Sequence, residues 1–375
     1  MTKFKVVHVS TVHPANDVRI RYRECWTLAN NGYDTTLLIR GPLDATEWEK
    51  LHLIALPMTG SRWKRALYAG PLACFRAFKL GSKVVHFHDP ELLPGMFLLS
   101  LLGRKVVFDI HENLAEGLAE KEWLVCRKQV AWIYRRLEKL LTFRMSLVLA
   151  ETSYEKFYKN LGRRQCTVLN YPDLSRFDKV KFARNFESPK LFYIGSISET
   201  RGFFEMIEIT QRLRLKGLAA TLDLVGQVPE SLLQSERFLK LKSELGDALK
   251  LWGRLNLEEG YARAKDCNLG LAILHPMKNY LESLPTKLLE YMAVAMPVIA
   301  SDFPFYKTFV EENDVGFCGS PADPMAIADR IEQLFKSEEG LKKLAQWSER
   351  GPAVADQKYS WKTQANKLLA FYESL

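Results

Sequence analysis

Short apolar runs alternate with stretches of helical periodicity along the whole chain, and this alternation predicts an α/β fold. Runs of the buried-strand type fall in the first half at residues 5–10, 35–39, 84–89, 105–109, 147–150 and 166–169. The second half has such runs at residues 190–194, 220–225, 250–252, 269–274, 298–300 and 315–318. No internal repeat or low-complexity tract interrupts the pattern.

The most informative pattern lies at residues 279–302, which predict a loop, a helix, a turn and a buried strand. Pro285 and Thr286 suit the first turn of the helix, because proline lacks an N–H group that the first turn would leave unpaired. Apolar residues then recur at helical spacing. Pro297 ends the helix, and residues 298–300 form a short apolar run.

The start of this helix predicts a phosphate site, since a helix N-terminus presents free N–H groups and the positive end of its dipole. Lys287 adds a mobile charge there, and Glu290 can accept hydrogen bonds from a pair of hydroxyl groups. Glu282 precedes the helix, eight residues before Glu290. The set suits a ligand with phosphates and vicinal hydroxyls, such as a nucleotide sugar. The alternative is a solvated helix face that carries two glutamates by chance.

Polar residues also follow the predicted strands of the first half. His88 and then Asp89 end one strand, and His111 follows the next. Ligands of open α/β sheets bind outside the carboxyl ends of the strands. The loop after the first strand, residues 11–20, has Asp17 as a plausible helix N-cap. No glycine precedes Gly32, which disfavours an NAD-dependent enzyme with its G-x-G-x-x-G turn.

A glycine turn follows the first strand of the second half. Residues 195–202, GSISETRG, lead from that strand into a helix. Such a turn lets a phosphate approach the backbone closely. Arg201, at its end, can hold phosphate oxygens through two parallel hydrogen bonds.

Several of these motifs together resemble the GT4 family of retaining glycosyltransferases. The E-x7-E pair with a proline turn, followed by EYMA and PVIASD, is similar to the donor-site signature of that family. HPANDVRI, HxHDPE and D-x-H-E in the first half resemble one GT4 subgroup. The resemblance implies the GT-B fold, which has two Rossmann-like domains with doubly wound parallel sheets and the nucleotide sugar in the cleft between them.

The resemblance also implies which residues hold the donor, a UDP- or GDP-sugar. These are Gly195, Ser196, Arg201, Arg254, Ser283, Leu284, Pro285, Thr286, Lys287 and Glu290. Most family members have a basic residue where this chain has Ser196, so Arg201 is left as the main diphosphate charge of its loop. Lys287 would supply the rest, Glu290 would bind the ribose hydroxyls, and Arg254 would lie beside the base.

Two residues are implied as catalytic. Glu282 would hydrogen-bond the transferred sugar, and His111 would reach it from the other domain. His13, Arg19 and His88 are implied on the acceptor side, and the alternative for His13 and Arg19 is a surface loop residue. No metal or other cofactor is expected, because the family holds the diphosphate without an obligatory metal.

The length of 375 residues allows two domains, each with a sizeable core. We expect an acceptor-side domain at residues 1–185 and a nucleotide-sugar domain at 186–355. A terminal helix at 356–375 is expected to cross back to the first domain, which is again an implication of the resemblance. Residues up to 189 are charged and aperiodic, as a linker would be.

The net charge is unevenly distributed. Of the total of +9, residues 1–190 contribute about +12 and the remainder about −3. Basic residues are interleaved with aromatic ones at 59–88 and 121–144, a pattern that can lie on an anionic membrane surface. The alternative is an apolar face packed on the sheet with a solvated basic face. No recognised nucleic-acid motif is present, so we expect no nucleic-acid partner.

The remaining features concern the compartment and the activity. Six scattered cysteines, the absence of a signal-peptide pattern and a longest apolar stretch of about eleven residues predict a cytoplasmic protein, peripheral at the inner membrane face. We expect a glycosyltransferase with a lipid-linked or saccharide acceptor, in the assembly of cell-surface polysaccharide or lipopolysaccharide. A GT-B-fold sugar-nucleotide epimerase and a non-catalytic nucleotide-sugar binding protein are the alternatives.

Overall fold

The computed structural model describes residues 3–43, 50–121, 124–180, 182–281 and 283–375, without the side chains of Arg62, Lys278 and Asn279. The chain forms two compact units. Unit 1 is Met1–Asn170 with Lys362–Leu375, and unit 2 is Tyr171–Trp361.

Unit 1 contains a parallel sheet, which has seven strands in the described part of the chain. They are β1 (Lys5–Pro14), β2 (Asp34–Arg40), β3 (Leu51–Leu56), β4 (Val84–Phe87), β5 (Lys105–Ile110), β6 (Ser146–Leu149) and β7 (Gln165–Thr167). Their order is β3-β2-β1-β4-β5-β6-β7, so the direction of winding reverses between β1 and β4. In the register of this sheet, His8 on β1 lies opposite His86 on β4.

Every strand from β4 to β6 is buried nearly throughout, since helices cover both faces of this sheet. The helices are α1 (Trp26–Asn30), α2 (Arg62–Lys64), α3 (Gly70–Lys79), α4 (Leu93–Leu101), α5 (Leu114–Glu120), α6 (Arg127–Thr142), α7 (Glu155–Tyr158) and, from the end of the chain, α17 (Trp361–Ser374). A wide turn of helix, Val18–Cys25, precedes α1, and its N-cap is Asp17, which accepts a hydrogen bond from the Ile20 N–H. The sequence-based assignment of that cap is confirmed.

Unit 2 contains a second parallel sheet, with six strands among the described residues. They are β8 (Lys190–Ile194), β9 (Thr221–Val225), β10 (Leu249–Leu251), β11 (Leu269–Ala272), β12 (Val298–Ser301) and β13 (Gly316–Gly319). Their order is β10-β9-β8-β11-β12-β13, which again reverses once, between β8 and β11.

The helices of unit 2 follow its strands. They are α8 (Phe203–Leu215), α9 (Glu230–Leu233), α10 (Glu236–Leu245), α11 (Leu257–Arg263), α12 (Lys278–Leu281), α13 (Thr286–Ala293), α14 (Pro304–Asn313), α15 (Pro324–Lys336) and α16 (Glu338–Lys358). Two hydrophobic clusters fill the space between them and the sheet. Leu191 and Tyr193 of β8 point into one cluster, and Phe192 and Ile194 point into the other. This alternation follows from the two-residue period of a strand and makes β8 apolar throughout.

The division between the units lies at Asn170 and Tyr171 rather than near residue 185. The reason is hydrophobic packing, because Leu174, Phe177 and Val180 are buried in a core cluster of unit 2. The described residues of 171–185 therefore pack with the second unit and do not form a solvated linker. At the other end, Lys362–Leu375 groups with unit 1, and Tyr372 on α17 is fully buried there.

Among the described residues, no helix combines the length and the apolar character that crossing a membrane requires.

Candidate functional site

Each unit brings its sequence-predicted residues to the point where the strand order of its own sheet reverses. In unit 2 this point lies between β8 and β11, which are neighbours in the sheet. The glycine turn follows β8, and the loop that leads to α13 follows β11. Loops after neighbouring strands on opposite sides of such a reversal separate and leave a crevice, which is where ligands bind in open α/β sheets.

The turn after β8 depends on glycine at both ends. Gly195 has a φ of +133° and Gly202 a φ of +75°, a region that other residues rarely adopt. A side chain at Gly202 would collide with the backbone carbonyl of Ile273, which follows β11. The His275 N–H also donates to the Thr200 carbonyl oxygen at 2.9 Å. The turn therefore lies directly against the loop after β11, and the two form one wall.

Lys287 is the most unusual side chain of this wall. It is only 8% exposed, and its Nζ has no hydrogen-bond partner among the residues that the structure describes. The amine lies 3.7 Å from the centre of the Tyr193 ring, and a Cβ atom at Gly195 would be 3.3 Å from it. Burial, together with the nearby charge of Arg201, lowers the pKa of Lys287 to about 7. A buried amine without a polar partner is suited to an anion that replaces the missing hydrogen bonds.

Arg201 supplies a second positive charge to the same loop. Its Nε donates to the hydroxyl oxygen of Tyr280 at 3.1 Å, and its guanidinium lies 5.6 Å from the centre of that ring. Among the described residues, the partners of Arg201 are the hydroxyls of Tyr280 and Tyr193, and no carboxylate pairs with it. Ser196, at the position where a second basic residue was expected, contributes its carbonyl oxygen, which accepts from the Tyr193 hydroxyl at 2.6 Å.

The residues before α13 present backbone rather than side chains. Ser283 and Leu284 are half-buried, Pro285 is the N-cap, and α13 begins at Thr286, which is exposed. No described side chain caps this helix. The Leu288 N–H donates to the Pro285 carbonyl oxygen at 3.0 Å, so the N–H groups that a ligand or solvent could meet are those of Thr286 and Lys287. The helix N-terminus at which the sequence predicted a phosphate site is present in the structure. Pro285 lies just outside the helix instead of in its first turn.

Glu290 lies on α13, three residues after Lys287 and so slightly less than one helical turn further along. Its Oε2 accepts a hydrogen bond from the hydroxyl of the buried Tyr261 at 2.9 Å. The carboxylate is half-buried, and the tyrosine holds it on one side. Arg254 is exposed and follows Gly253, whose carbonyl oxygen accepts from the Gly226 N–H at 2.8 Å. Both residues stay candidates for the roles that the sequence predicted.

Glu282, expected to hydrogen-bond the transferred sugar, lies outside the described residues. Its role therefore stays a prediction.

In unit 1 the strand order reverses between β1 and β4, and a histidine-rich network lies there. Asp89 accepts from the N–H groups of Thr11 and Val12 at 2.5 and 3.2 Å, and from the Ser10 hydroxyl at 3.0 Å. These bonds tie the loop after β1 to the end of β4. Asp89 is 2% exposed, so its carboxylate serves these internal hydrogen bonds and does not face a ligand.

His111 is the partly exposed end of this network. Its Nε2 donates to Asp109 Oδ2 at 2.8 Å, and 16% of its side chain is exposed. The bond fixes the ring, and in the neutral tautomer that carries its proton on Nε2 the other nitrogen, Nδ1, is an acceptor. His13 packs on it with ring centres 4.8 Å apart. Although burial opposes it, the hydrogen bond to Asp17 raises the pKa of His13.

His88 is buried, and both of its ring nitrogens have partners. Nε2 lies 3.1 Å from His8 Nδ1, and Nδ1 lies 3.2 Å from Asp109 Oδ2 and 3.1 Å from His111 Nε2. Burial lowers the pKa of His88 to about 4. The sequence placed His88 on the acceptor side, but at 2% exposure it lies behind His111 and supports it.

Arg19 was also expected on the acceptor side, and the structure places it in the core. Its guanidinium donates to both oxygens of Asp109 at 2.9 Å and to the Val168 carbonyl oxygen at 2.8 Å, and it pairs with Glu24 at 3.0 Å. With 4% exposure it is directed at protein groups and not at a ligand. Despite the cost of burial, Arg19 and His111 hold the pKa of Asp109 well below its ordinary value.

A cluster of metal-ligand type lies in the same network. Ligand atoms of Glu24, His86, His88 and Asp109 are within 4.8 Å of one another, and all four residues are buried. Arg19 contacts both carboxylates, so the protein itself supplies the positive charge that a cation would bring. Burial and the charge of Asp109 raise the pKa of Glu24 well above its ordinary value. A metal ion would therefore have to displace Arg19 from both carboxylates.

Comparison with known proteins follows this geometry. Residues 175–354 match the family model described as Glycosyl transferases group 1. The chain carries a glycosyl transferases group 1 domain. That group 1 domain spans nearly all of unit 2 and contains every described donor-side candidate, from Gly195 to Glu290. No curated protein sequence matches the chain.

Solved structures match the chain over nearly its full length. Sucrose-phosphate synthase from Thermosynechococcus elongatus is 16% identical, with a TM-score of 0.69 over 99% of both chains. A glycosyltransferase from Rickettsia africae is 12% identical, with a TM-score of 0.72 over 100% of this chain and 99% of that one. HepE from Anabaena, solved in complex with UDP, is 14% identical, with a TM-score of 0.70 over 99% of this chain and 100% of that one. At such identities the likeness shows the fold, which is GT-B, as the sequence predicted.

The sequence did not indicate four residues that shape these sites. Tyr193 and Tyr280 hold Lys287 and Arg201, Tyr261 holds Glu290, and Asp109 holds His111. Only Asp109 had a usable signal, since it ends a buried strand two residues before His111. The tyrosines look like ordinary core residues because each is largely buried through its ring.

Proposed function

We propose that the protein is a retaining glycosyltransferase that moves a sugar from a nucleotide diphosphate sugar to an acceptor hydroxyl. The observation that carries the proposal is Lys287, a buried amine with no hydrogen-bond partner in the described structure, next to Gly195 and Arg201. A diphosphate would supply the missing acceptors and neutralise both cations. The group 1 domain in which this site lies makes a sugar nucleotide the expected ligand.

The chemistry proposed for this site is stabilisation of a departing diphosphate. As the bond between sugar and diphosphate breaks, negative charge grows on the phosphate oxygens. Lys287, Arg201 and the first N–H groups of α13 lie at one wall and need no rearrangement to stabilise that charge. Glu290 would accept hydrogen bonds from the ribose hydroxyls, with Tyr261 holding its other side.

The roles of Glu282 and His111 as catalytic residues stay proposals that rest on the family resemblance. For His111, the bond to Asp109 supports a fixed ring with a free Nδ1 that can accept a hydrogen bond from a sugar hydroxyl. Arg254 stays the proposed neighbour of the base. No metal or other cofactor is proposed, since two cations of the protein would serve the diphosphate.

UDP is the first nucleotide to test, because the HepE structure holds UDP and a second one holds UDP-glucose. GDP is the alternative. Calorimetry with UDP and GDP should give binding in unit 2 that Lys287→Met weakens and Lys307→Met, an exposed lysine of the same unit, leaves unchanged. If neither nucleotide binds, the donor site is refuted.

The proposed acceptor is a lipid-linked or other saccharide in cell-surface polysaccharide or lipopolysaccharide assembly, used at the cytoplasmic face of the membrane. A structure of WaaG, whose title places it in lipopolysaccharide biosynthesis, is among the matches at 14% identity, and that supports the fold only. Donor turnover separates the candidate functions. A transferase consumes donor faster when acceptor is added, an epimerase converts donor alone, and a binding protein converts none.

A further inference from the structure

Three neighbouring helices of unit 1 expose apolar side chains that the core does not use. The helix α4 packs between α3 and α6. On α4 and its C-cap residue, Leu98, Leu101 and Leu102 form one stripe and are 59%, 52% and 64% exposed, whereas Met96 and Leu99 are buried. The stripe therefore lies on the side of the helix that faces away from the sheet.

The helix α6 has the opposite of the usual arrangement. It buries Glu138 and Thr142 and exposes Trp132 and Ile133, which are 60% and 58% exposed. Glu138 is satisfied inside by hydrogen bonds from the hydroxyls of Tyr134 and Tyr158. The buried side of α6 holds the small Ala131 beside two polar residues, whereas the large apolar side chains of Trp132 and Ile133 are left at the surface, where an isolated domain gains nothing from them.

The exposed residues of the three helices form one surface. The Phe97 and Phe143 rings, with centres 6.1 Å apart, join α4 to the end of α6. The guanidinium of Arg104, just after α4, lies 5.6 Å from the ring of the exposed Phe78 on α3. We call this surface the α3–α4–α6 face and define it by the exposed side chains of residues 70–79, 93–105 and 127–144.

The charge of the α3–α4–α6 face is almost purely positive. Its three segments contain ten Lys and Arg residues and a single acid, the buried Glu138. A second copy of the chain would place two such basic faces against each other, which repulsion disfavours. Long basic side chains beside exposed leucine and tryptophan fit a partner that is apolar inside and anionic at its surface.

We propose that the α3–α4–α6 face docks on an anionic lipid bilayer, with the leucines and Trp132 entering the interface and the basic side chains meeting lipid phosphates. The biological purpose of this surface rests on the proposed function, in which the acceptor is linked to a lipid. The binding of the surface to lipid can nevertheless be measured without donor or acceptor. Of the apolar residues that the sequence analysis singled out at 121–144, Trp132, Ile133 and Phe143 are exposed and are not packed on the sheet.

The test is co-sedimentation of the full chain with phosphatidylcholine vesicles that contain or lack phosphatidylglycerol. We expect binding only to the anionic vesicles and its loss at about 0.5 M salt, where charges are screened within a few ångströms. The pair Arg136→Glu and Lys139→Glu should lower partitioning at least about 25-fold, since each basic residue near the surface contributes about a fivefold effect. The pair Leu101→Ser and Leu102→Ser should lower it about tenfold or more through lost apolar contact.

Matched controls lie on exposed positions of unit 2. Leu215→Ser and Lys240→Glu should leave partitioning unchanged. All variants change exposed side chains, and circular dichroism with the thermal unfolding midpoint reports whether they stay folded. Equal binding to neutral vesicles, no binding to anionic ones, or full binding by the face variants would each overturn the proposal. Capture of an acidic protein in place of lipid would do the same. If the unaltered chain does not bind UDP, that result would instead contradict the proposed donor site, so the failures of the two proposals are distinguishable.

Discussion

Replacing Lys287 by methionine should stabilise the ligand-free protein while it abolishes tight nucleotide binding. Methionine keeps the length and apolar stem of lysine and removes only the buried amine. The environment lowers the pKa of Lys287 from 10.5 to about 7. At about 1.36 kcal/mol for each tenfold change in a protonation equilibrium, the folded protein loses about 4 kcal/mol at pH 7. The amine recovers about 1 kcal/mol of this through the Tyr193 ring. The expected gain for Lys287→Met is therefore about 3 kcal/mol.

The gain has a defined dependence on pH. Between pH 7 and 10.5 the unfolded chain keeps a proton on Lys287 that the folded chain has lost, so the stability of the unaltered protein rises with pH. The advantage of Lys287→Met should accordingly be largest near pH 6 and fall by about 2 kcal/mol between pH 7 and pH 9. Urea titrations of both proteins at several pH values measure it directly, with Lys307→Met as the control for an exposed lysine.

Binding gives the second half of the test. Loss of a charged hydrogen-bond donor to phosphate costs about 1.5–3 kcal/mol, so UDP affinity should fall roughly 10- to 100-fold in Lys287→Met. A variant that is less stable than the unaltered protein would show that the amine has a structural partner. A variant with unaltered UDP affinity would show that the amine does not face the phosphates. Either outcome refutes the anion-site interpretation.

Three further predictions concern the two sites. UDP binding at pH 8 should take up close to one proton, because Lys287 is mostly neutral before binding; calorimetry in Tris and HEPES should show this, and Lys287→Arg should abolish the uptake. If Glu290 holds the ribose, the unaltered protein should bind 2′-deoxy-UDP roughly tenfold more weakly than UDP. The Glu290→Ala variant should bind the two nucleotides equally well, whereas Tyr261→Phe should still prefer UDP. Arg19→Met should cost about 3–5 kcal/mol of stability by leaving Asp109 uncompensated, against less than about 0.5 kcal/mol for the exposed Lys50→Met, and an equal cost for both would remove the buried role of Arg19.

Local patterns were sufficient for most of the fold. Buried strands of parallel sheets are short and apolar throughout, so they stand out against amphipathic helices, and the strands from β8 to β13 lie where the sequence predicted them. The strand that the sequence did not reveal, β3 at Leu51–Leu56, is at the edge of its sheet and only partly buried. An edge strand needs less apolar character, which makes its pattern weak.

Contacts between distant parts of the chain account for what the sequence could not show. Arg19 looked like a surface loop residue, and its partner Asp109 is 90 positions away. The pKa of Lys287 depends on burial against Tyr193 and Gly195, which belong to another strand and its turn. For α6, the usual rule that apolar residues face inward gives the wrong side, because Glu138 finds two tyrosine hydroxyls inside. No local periodicity reports such a partner.

The electrostatics of the two strand-order reversals differ in a way that assigns them different tasks. In unit 1 the charges cancel inside the protein, since Arg19 is balanced by Asp109 and the buried histidines are held neutral. What reaches the surface there is the hydrogen-bonding edge of His111, which suits a neutral hydroxyl. In unit 2, the described contacts of the Lys287 and Arg201 cationic groups are with tyrosine rings, and burial disfavours the charged form of Lys287 despite the nearby Glu290 carboxylate. An anion bound there would favour that charged form, and this difference between the units is the reason for proposing the diphosphate site in unit 2.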